Sequence, residues 1–397
     1  MAQRQFRSDD TSTWVEKWGD GSSGALTISS NTTEAPIDSS CSGTSGTTSL
    51  SATNVSFATG QLILIHQSRG TGVGAWELNK IGSYTAGTIT TSYALTNTYT
   101  DSGASQAQVR VLPQYSSVTV DSTKIYTAKA WNQDVGGILA FVCNGTTTIT
   151  GTIEANGEAG GTRTANGDLG GYVGGDGKPS TSGGVGGTAQ CGEGTSGAPA
   201  TQNTANGNGG GGAIAASTGD SRAGGGGGGH ASAGGTGGQQ NSATKGAAGG
   251  TSGAVELTTA TFGGGGGGSA TDGGADVGSG ASGGGFILII SKVITVSGGL
   301  TVNGANGGTT AYGGGGASAG GSILLKCQTG TLGTTLVTST GGTGGAGGGS
   351  GSVGGNGSVG RIHLDYSNSY TGTTNPSLDA RRDAALASNT GNFFMFM

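Results

Sequence analysis

Short apolar runs separated by turn residues dominate residues 1–135. Val, Ile, Leu and Thr alternate with polar residues or follow one another for a few positions, and Gly, Ser or Asn ends each run. This pattern is typical of β-strands rather than of helices. The clearest runs are 61–67, 86–95, 107–115 and 116–122. We therefore expect residues 1–135 to form a β-rich domain with a core of its own.

A repeated pattern begins near residue 136. Residues 149–161 (ITGTIEANGEAGG) align without gaps with 296–308 (VSGGLTVNGANGG), and each is preceded by an apolar strand that opens with Gly. Runs that are apolar at successive residues, such as FILII, suit strands covered on both faces. Stacked copies predict a parallel β-solenoid-like core in which each repeat buries its neighbour. The opening strands of the copies are 136–148, 284–295, 320–327 and 360–366.

Glycine tracts separate the repeats, with six consecutive glycines at 224–229 and again at 263–268. Glycine loses more backbone freedom on folding than any other residue and adds no side chain to a core. Ordered tracts must therefore pack through their backbones. Polyglycine can form helices of the polyproline-II type with three residues per turn, whose N–H and C=O groups pair with neighbouring helices. We predict a bundle of polyglycine-II helices, with irregular glycine-rich loops and flexible linkers as the alternatives.

The predicted fold is thus all-β with a glycine-rich region. It combines an N-terminal β-rich attachment domain (1–135), strand repeats with polyglycine-II excursions (136–366), and a C-terminal tail (367–397). Within the tail, residues 378–388 are the one short helical candidate. The chain ends in FFMFM, and such apolar side chains need burial in the protein itself or in a partner. A docking strand at the end of the tail is therefore expected.

Composition and charge exclude several classes of protein. Gly accounts for 92 of 397 residues and Pro for only 5, without a strict Gly-X-Y period, so a collagen triple helix is excluded. Charged residues make up 10% of the chain, and 17 Lys and Arg argue against a nucleic-acid partner. We recognise no secretory signal peptide and no apolar run long enough for membrane insertion. An extracellular or virion-surface protein that leaves the cell by lysis or by a leaderless route fits these features.

The cysteines carry no metal-binding or redox pattern. They are widely spaced, with no C-x-x-C motif, and buried thiols that act as small apolar side chains are expected. A disulfide between Cys143 and Cys327 stays open, because both lie in strand-like repeats. The four are Cys41, Cys143, Cys191 and Cys327.

No grouping of residues indicates catalysis. The three histidines lie far apart in the sequence, and His66 and His363 fall in strand patterns that suit a structural role. Asp272 and Asp276 could bind Ca²⁺, but the glycine-Asp repeat of calcium β-rolls is absent. We expect no enzyme activity, no cofactor and no metal.

The glycine tracts, joined by short polar segments behind a glycine-poor N-terminal region, resemble the tail-fibre tip adhesins of T-even-like bacteriophages. The matching runs are 224–229, 263–268 and 313–316. The resemblance is architectural and covers the glycine-rich part of the chain. It implies an attachment domain followed by packed polyglycine-II helices, whose distal loops recognise an outer-membrane protein or a surface glycan. The apolar repeats and the FFMFM end depart from that family.

Bulky and charged side chains cannot enter a polyglycine lattice, so we expect them at its ends or outer faces, where binding loops lie. For each, the alternative is a solvated loop without a ligand. The receptor-binding candidates are Tyr172, Lys178, Arg222, His230 and Tyr312. The assembly candidates at the two ends of the chain are Trp14, Trp18, Phe393, Phe394 and Phe396.

These features predict a non-enzymatic adhesin that binds a host cell-surface protein or glycan and attaches to a neighbouring fibre protein. The alternative is a self-assembling subunit of an extracellular filament or surface layer, which docks its apolar C-terminal strand into copies of itself. A third hypothesis is an ice-binding protein, which requires a flat, regular face rich in Thr and Ala.

Overall fold

A computed structural model gives the fold. It describes residues 17–161, 170–179, 188–216, 221–272, 276–347 and 352–387. Over these ranges the chain forms β-strands and one short 3-10 helix (Ala384–Leu386), with no α-helix, so the predicted all-β class is confirmed. The strands are β1 (Ala25–Ile28), β2 (Thr32–Thr33), β3 (Asp38–Gly43), β4 (Ser49–Ala52), β5 (Leu62–Arg69), β6 (Trp76–Thr85), β7 (Thr88–Thr91), β8 (Gln106–Val111), β9 (Gln114–Tyr115), β10 (Ser117–Val120), β11 (Ile125–Thr127), β12 (Ile138–Ile149), β13 (Thr152–Glu154), β14 (Lys178–Pro179), β15 (Arg222–Ala223), β16 (Gln239–Gln240), β17 (Ala270–Thr271), β18 (Phe286–Val296), β19 (Gly299–Thr301), β20 (Ser322–Thr338), β21 (Arg361–Asn375) and β22 (Asp379–Arg382).

The longest strands form a parallel sheet. β12, β18, β20 and β21 lie side by side in this order, and they contain the opening strands of the predicted repeats. A second row of short strands runs β11, β13, β19 and the end of β20. In that row Thr152 faces Gly299, which is the register of the gap-free alignment between the first two repeats. The predicted parallel stacking of repeats is confirmed.

The parallel sheet begins earlier in the chain than the repeats indicate. β1 pairs in parallel with β10, and β10 pairs with β12, where Val118 faces Thr147. β2 and β11 extend the second row in the same way. Residues 25–33 and 114–127 therefore contribute further strands to the parallel sheet. The sequence analysis had placed both segments in the N-terminal β domain.

Between these two segments the chain forms a closed antiparallel barrel, with the strand order β3, β4, β7, β6, β5 and β8. Ile63 and Ile65 of β5 point into the core of the barrel, whereas Leu64 between them packs against the parallel sheet. The barrel core also contains Leu50, Ile81, Ile89, Tyr99 and Val109. One strand thus supplies side chains to two cores, because successive residues of a strand point to opposite faces.

Both faces of the parallel sheet are buried, which explains its unbroken apolar runs. In β18, Ile287 and Ile289 point to one face of the sheet, where they belong to the apolar cluster between its two rows of strands. Phe286 and Leu288 point to the other face and belong to the cluster shared with the barrel and the glycine region. The predicted coverage of these strands on two sides is confirmed.

The four cysteines are free and buried, as expected for apolar packing. Cys143 and Cys327 lie in one apolar cluster, but β18 runs between their strands and places Ser291 opposite each of them. The disulfide that the sequence left open is therefore not formed.

The helix expected over 378–388 is wrong. Residues 379–382 form β22, which pairs in parallel with β21, and the 3-10 helix follows, with Asp383 accepting a hydrogen bond from the Ala385 N–H. The edge of β21 offers unpaired backbone groups, and pairing with them outweighs the helical propensity of the segment. Residues 388–397, with Phe393, Phe394 and Phe396, lie outside the described residues.

Candidate functional site

The glycine tracts are hydrogen-bonded to one another in a regular order. Along 224–229, successive N–H groups donate to three different tracts in turn, and each recipient tract recurs at every third residue. The bonds join Gly224 to Gly238, Gly225 to Gly314, Gly226 to Gly211, Gly227 to Gly235, Gly228 to Ala317 and Gly229 to Asn208, with N···O distances of 2.7–3.1 Å.

The carbonyl groups of the same tract accept bonds from three further tracts. The donors, in the order of the carbonyls from Gly224 to Gly229, are Gly246, Gly355, Gly267, Gly249, Ser358 and Gly264. The tract 224–229 therefore touches six neighbours, three through its donors and three through its acceptors. Every backbone polar group in it has a partner, which burial requires.

Only glycine fits these positions. A Cβ atom on Gly226 would lie 1.9 Å from the carbonyl oxygen of Ala247, and one on Gly228 would lie 1.9 Å from that of Gly264. Real Cβ atoms do not approach backbone this closely. The glycine runs are therefore a packing requirement of this part of the molecule.

The hydrogen bonds arrange the tracts in four layers, which we call the glycine bundle. The first two layers lead directly into or out of strands of the parallel sheet. The layers consist of 154–161, 302–308 and 339–347; 277–285, 313–321 and 352–360; 170–177, 262–268, 223–229 and 233–238; and 188–194, 208–215 and 243–250.

Asparagines close the outer layer of the bundle. The Oδ1 atom of Asn156 accepts the Asn303 N–H at 2.7 Å, and Oδ1 of Asn303 accepts the Thr340 N–H at 2.8 Å. In the same way Oδ1 of Asn306 accepts the Thr343 N–H at 2.8 Å. The Asn shared by the sequence repeats thus serves backbone donors at the bundle surface, where no further glycine tract is available.

The two ends of the bundle differ. Tract 223–229 runs from Arg222 to His230, and tract 262–268 runs the opposite way, from Phe262 towards Thr271. At one end, Phe262 lies in the apolar cluster between sheet and barrel. At the other end, small side chains form a separate cluster of alanines. We call the first end the junction and the second the tip.

The tip carries a small sheet of four two-residue strands, in the order β14, β17, β15 and β16. Lys178 of β14 faces Ala270, and Arg222 of β15 lies between Thr271 and Gln240. Ala223 and Ala270 belong to the alanine cluster of the tip. The described residues of the tip thus form a small sheet that rests on the packed backbone of the bundle.

Three of the five receptor-binding candidates lie at the tip, and two of them, Arg222 and Tyr312, are in contact. The guanidinium carbon of Arg222 lies 4.7 Å from the centre of the Tyr312 ring, in a cation–π contact. Lys178 is exposed, and Arg222 and Tyr312 are half-buried. The hydroxyl of Ser352 donates to the Tyr312 carbonyl at 2.6 Å and holds the backbone beneath this pair. The described part of the tip thus carries two cationic side chains and an aromatic ring.

The other two candidates, Tyr172 and His230, lie buried at the junction, and their prediction as surface residues is wrong. The Tyr172 hydroxyl donates to the Ser68 carbonyl of the barrel, and its ring meets Phe262 edge-on at 5.4 Å. Nε2 of His230 donates to the Thr261 carbonyl at 3.0 Å, and burial lowers the pKa of His230 to about 4. Both side chains leave a tract at the end that faces the sheet, and the sequence does not reveal that direction.

Of the five assembly candidates, Trp18 alone lies among the described residues. Trp18 is 6% exposed and packs in the cluster between sheet and barrel, so its expected role in contact with another molecule is wrong. Its position follows from the adjacent turn, where Gly19 lies against Val142 and Gln114. Trp14 and the phenylalanines near the C-terminus lie outside the described residues.

The sequence analysis missed the group that joins barrel and bundle. Glu193 is fully buried and forms an ion pair with Arg69 of the barrel. Its carboxylate also accepts the Trp131 indole N–H at 2.9 Å and the Val173 N–H at 3.0 Å. Burial raises the pKa of Glu193, and the Arg69 charge opposes part of that rise. A lone carboxylate between glycines, in CGEGTSG, was the available signal.

The described residues offer no group of three or more His, Cys, Asp or Glu side chains that could hold a metal ion. Asp276 is exposed and Asp272 half-buried, and the residues between them are not described. His66 is buried, with Nδ1 2.9 Å from the Ser68 hydroxyl and Nε2 2.8 Å from the Ala260 carbonyl. No helix in the described part of the chain is long and apolar enough to span a membrane.

No protein-family model matches the sequence, and no curated protein or solved structure matches it either. The function is therefore inferred from the geometry of the chain itself.

Proposed function

We propose that this protein is a non-enzymatic adhesin whose tip binds a host cell surface. The observation that carries the proposal is the contact between Arg222 and Tyr312 at the tip, where Lys178 is exposed on the same four-stranded sheet as Arg222. The tip lies opposite the end that joins the barrel. Arg and Tyr are the residue types that most often dominate binding energy in protein interfaces. A bundle that holds them on fixed backbone loses little conformational entropy when a partner binds.

We further propose that the tracts of the bundle are polyglycine-II helices. Two features support this: the hydrogen-bond partner of tract 224–229 recurs at every third residue, and the tract has six neighbours. A helix with three residues per turn directs its successive N–H groups in three directions. Tract 263–268 follows the same rule, with donors directed in turn to 278–284, 224–229 and 188–194.

The partners follow from this arrangement. The tip would contact an exposed protein or glycan of the host, and the barrel at the opposite side of the junction would attach to a neighbouring fibre protein. An extracellular or virion-surface location is part of the proposal. The alternative of a self-assembling filament subunit depends on Phe393, Phe394 and Phe396, and no contact of the described residues favours it.

The proposal is tested by binding of fluorescently labelled full-length protein to a panel of Gram-negative bacterial cells, measured by flow cytometry. We expect saturable binding to at least one strain. The double variant Lys178→Ala/Arg222→Ala should weaken that binding at least about tenfold, the loss expected for an interface residue that dominates affinity.

The matched control is Thr236→Ala, an exposed position on the side of the same bundle. It should bind like the unmodified protein. Binding that ignores the tip substitutions, or binding to no strain at all, would contradict the proposal.

A further inference from the structure

A charged cluster lies far from the tip, on the last strands of the parallel sheet. The residues directly paired across the sheet form a row that changes from apolar to charged. From β12 to β22 the row is Val142, Ile290, Lys326, Asp365 and Arg381. The amine of Lys326 therefore has an apolar neighbour on one strand and a carboxylate on the other.

Lys326 and Asp365 are almost completely removed from water. The exposed fractions of their side chains are 3% and 2%, and Nζ of Lys326 contacts Oδ2 of Asp365. The other carboxylate oxygen, Oδ1, accepts from Arg381 Nε at 3.1 Å and lies 3.2 Å from Nε2 of His363. Nδ1 of His363 in turn lies 2.6 Å from Oδ2 of Asp379.

This pair differs from the other ion pairs of the described residues. The two other fully buried pairs use Arg69 and Arg110, whose guanidinium groups do not lose a proton in proteins. The Lys129 side chain, paired with Asp38, is 33% exposed. Among the residues that the structure describes, only Lys326 brings a buried primary amine against a buried carboxyl group. A lysine amine is a nucleophile once it is neutral.

We propose that Lys326 and Asp365 condense to an intramolecular amide bond that covalently joins β20 to β21. The lone pair of Nζ attacks Cγ of Asp365 and forms the C–N bond. The bond from Cγ to Oδ2 breaks, and Oδ2 leaves as water with two protons from the ammonium group. The ion pair has the same total charge as the products, so the step needs no oxidant, reductant or co-reactant.

The neighbours of Asp365 suit this reaction. Negative charge that develops on Oδ1 during attack faces the Arg381 guanidinium and the His363 ring, which act as an oxyanion site. Neighbouring strands hold amine and carboxyl group in contact, which replaces a bimolecular encounter by a step within one structure. Burial excludes the water that would hydrolyse the product.

The pair begins as ions. Burial by itself raises the pKa of Asp365, but the hydrogen bond from His363 and the Lys326 charge lower it more, so the carboxyl group stays ionised. Transfer of one proton from the ammonium group to Oδ2 gives the neutral amine and acid that react. The bond would fasten the last long strand of the sheet, and thereby the tract 352–360 that leads into it.

The test is intact-mass spectrometry of the denatured full-length protein. We expect a mass lower by one water molecule than the sequence gives. Peptide mapping should then find no tryptic cleavage after Lys326, and one branched peptide that contains Lys326 and Asp365. This mapping separates the amide from loss of water at an Asp-Gly step such as Asp20–Gly21.

Lys326→Arg is the matched control, because it keeps the charge and cannot form the bond, so it should have its full mass. Arg381→Gln, at a half-exposed position, should lower the fraction of cross-linked chains. Full mass in the unmodified protein, with normal cleavage after Lys326, would overturn the proposal and leave an ordinary buried ion pair.

Discussion

The barrel and the glycine bundle both form a buried interior, the barrel from large side chains and the bundle from backbone. The barrel buries large side chains such as Ile63, Ile65 and Tyr99 around one core. The bundle buries backbone, and tract 224–229 satisfies each N–H and C=O against six neighbours without a side chain. The barrel gains stability mainly from apolar area removed from water. The bundle must gain it from hydrogen bonds and close backbone contacts.

The two regions should therefore respond oppositely to one methyl group. A side-chain core loses contacts when a methyl group is removed and leaves a cavity. A backbone lattice has no cavity to leave and no room for an added methyl group. The barrel should therefore be destabilised by removal of a methyl group, and the bundle by addition of one.

The largest effect is expected from Gly226→Ala. The added methyl group would lie 1.9 Å from the Ala247 carbonyl oxygen, so at least one tract must move. We expect a loss of more than about 4 kcal/mol in the free energy of unfolding, the range reserved for severe core disruption. Urea denaturation followed by circular dichroism measures it.

Gly197→Ala is the control, because the nearest atom to its Cβ lies 3.8 Å away and its φ is not positive. It should change stability by no more than about 0.5 kcal/mol. Equal effects of the two substitutions would show that the tract is not tightly packed.

A somewhat smaller effect is expected where the two regions meet. Arg69→Met removes the charge partner of Glu193 and leaves a buried carboxylate. Breaking one side of a buried pair costs about 3–5 kcal/mol. The double variant Arg69→Met/Glu193→Gln should recover part of this loss in the same denaturation assay. If it is no more stable than the single variant, the ion pair does not explain the junction.

Acid should weaken both regions through their buried histidines. Burial lowers the pKa of His230 and of His66 from an ordinary 6.5 to about 4. Between pH 6.5 and pH 4 the histidines are therefore protonated in the unfolded chain but neutral in the folded protein. The free energy of unfolding is highest above pH 6.5 and falls as the pH drops towards 4. Each histidine contributes about 1.4 kcal/mol per pH unit within that window.

His230→Gln should remove the contribution of the bundle and leave that of the barrel, where His66 lies. Unfolding free energies at pH 7 and pH 5 measure both. A pH dependence that is unchanged in His230→Gln would contradict the assignment.

The smallest effect is expected from Ile65→Val, which removes one methyl group from the barrel core. Ile65 is fully buried, and this substitution typically costs about 0.5–1.5 kcal/mol. Together with Gly226→Ala it compares one methyl group removed with one added. A larger loss for Ile65→Val than for Gly226→Ala would reverse the contrast between the regions.

The long strands of the parallel sheet and the register of the repeats could be predicted from the sequence pattern. The apolar runs located β12, β18, β20 and β21, and the gap-free alignment gave the register of Thr152 opposite Gly299, because stacked repeats must pair like positions. Asn156 and Asn303 were visible as a shared feature, and the structure supplies their role as acceptors for backbone N–H groups.

Direction and long-range pairing were not predictable in the same way. Tyr172 and Lys178 leave the same tract at opposite ends, and local sequence does not say which end faces the sheet. The short strands in 25–33 and 114–127 also join the parallel sheet, but these segments are too short for a repeat to be visible in the sequence. The segment 378–388 was misjudged because the edge of β21 captures it as a strand.

The central claim is that the glycine tracts are an ordered lattice of hydrogen-bonded backbone. Hydrogen–deuterium exchange of the native protein, followed on peptides covering 223–230 and 262–269, tests it directly. We expect amide protection as strong as that of β18 in the sheet. Exchange at the rate of an unstructured chain in these two tracts, with β18 still protected, would contradict the account.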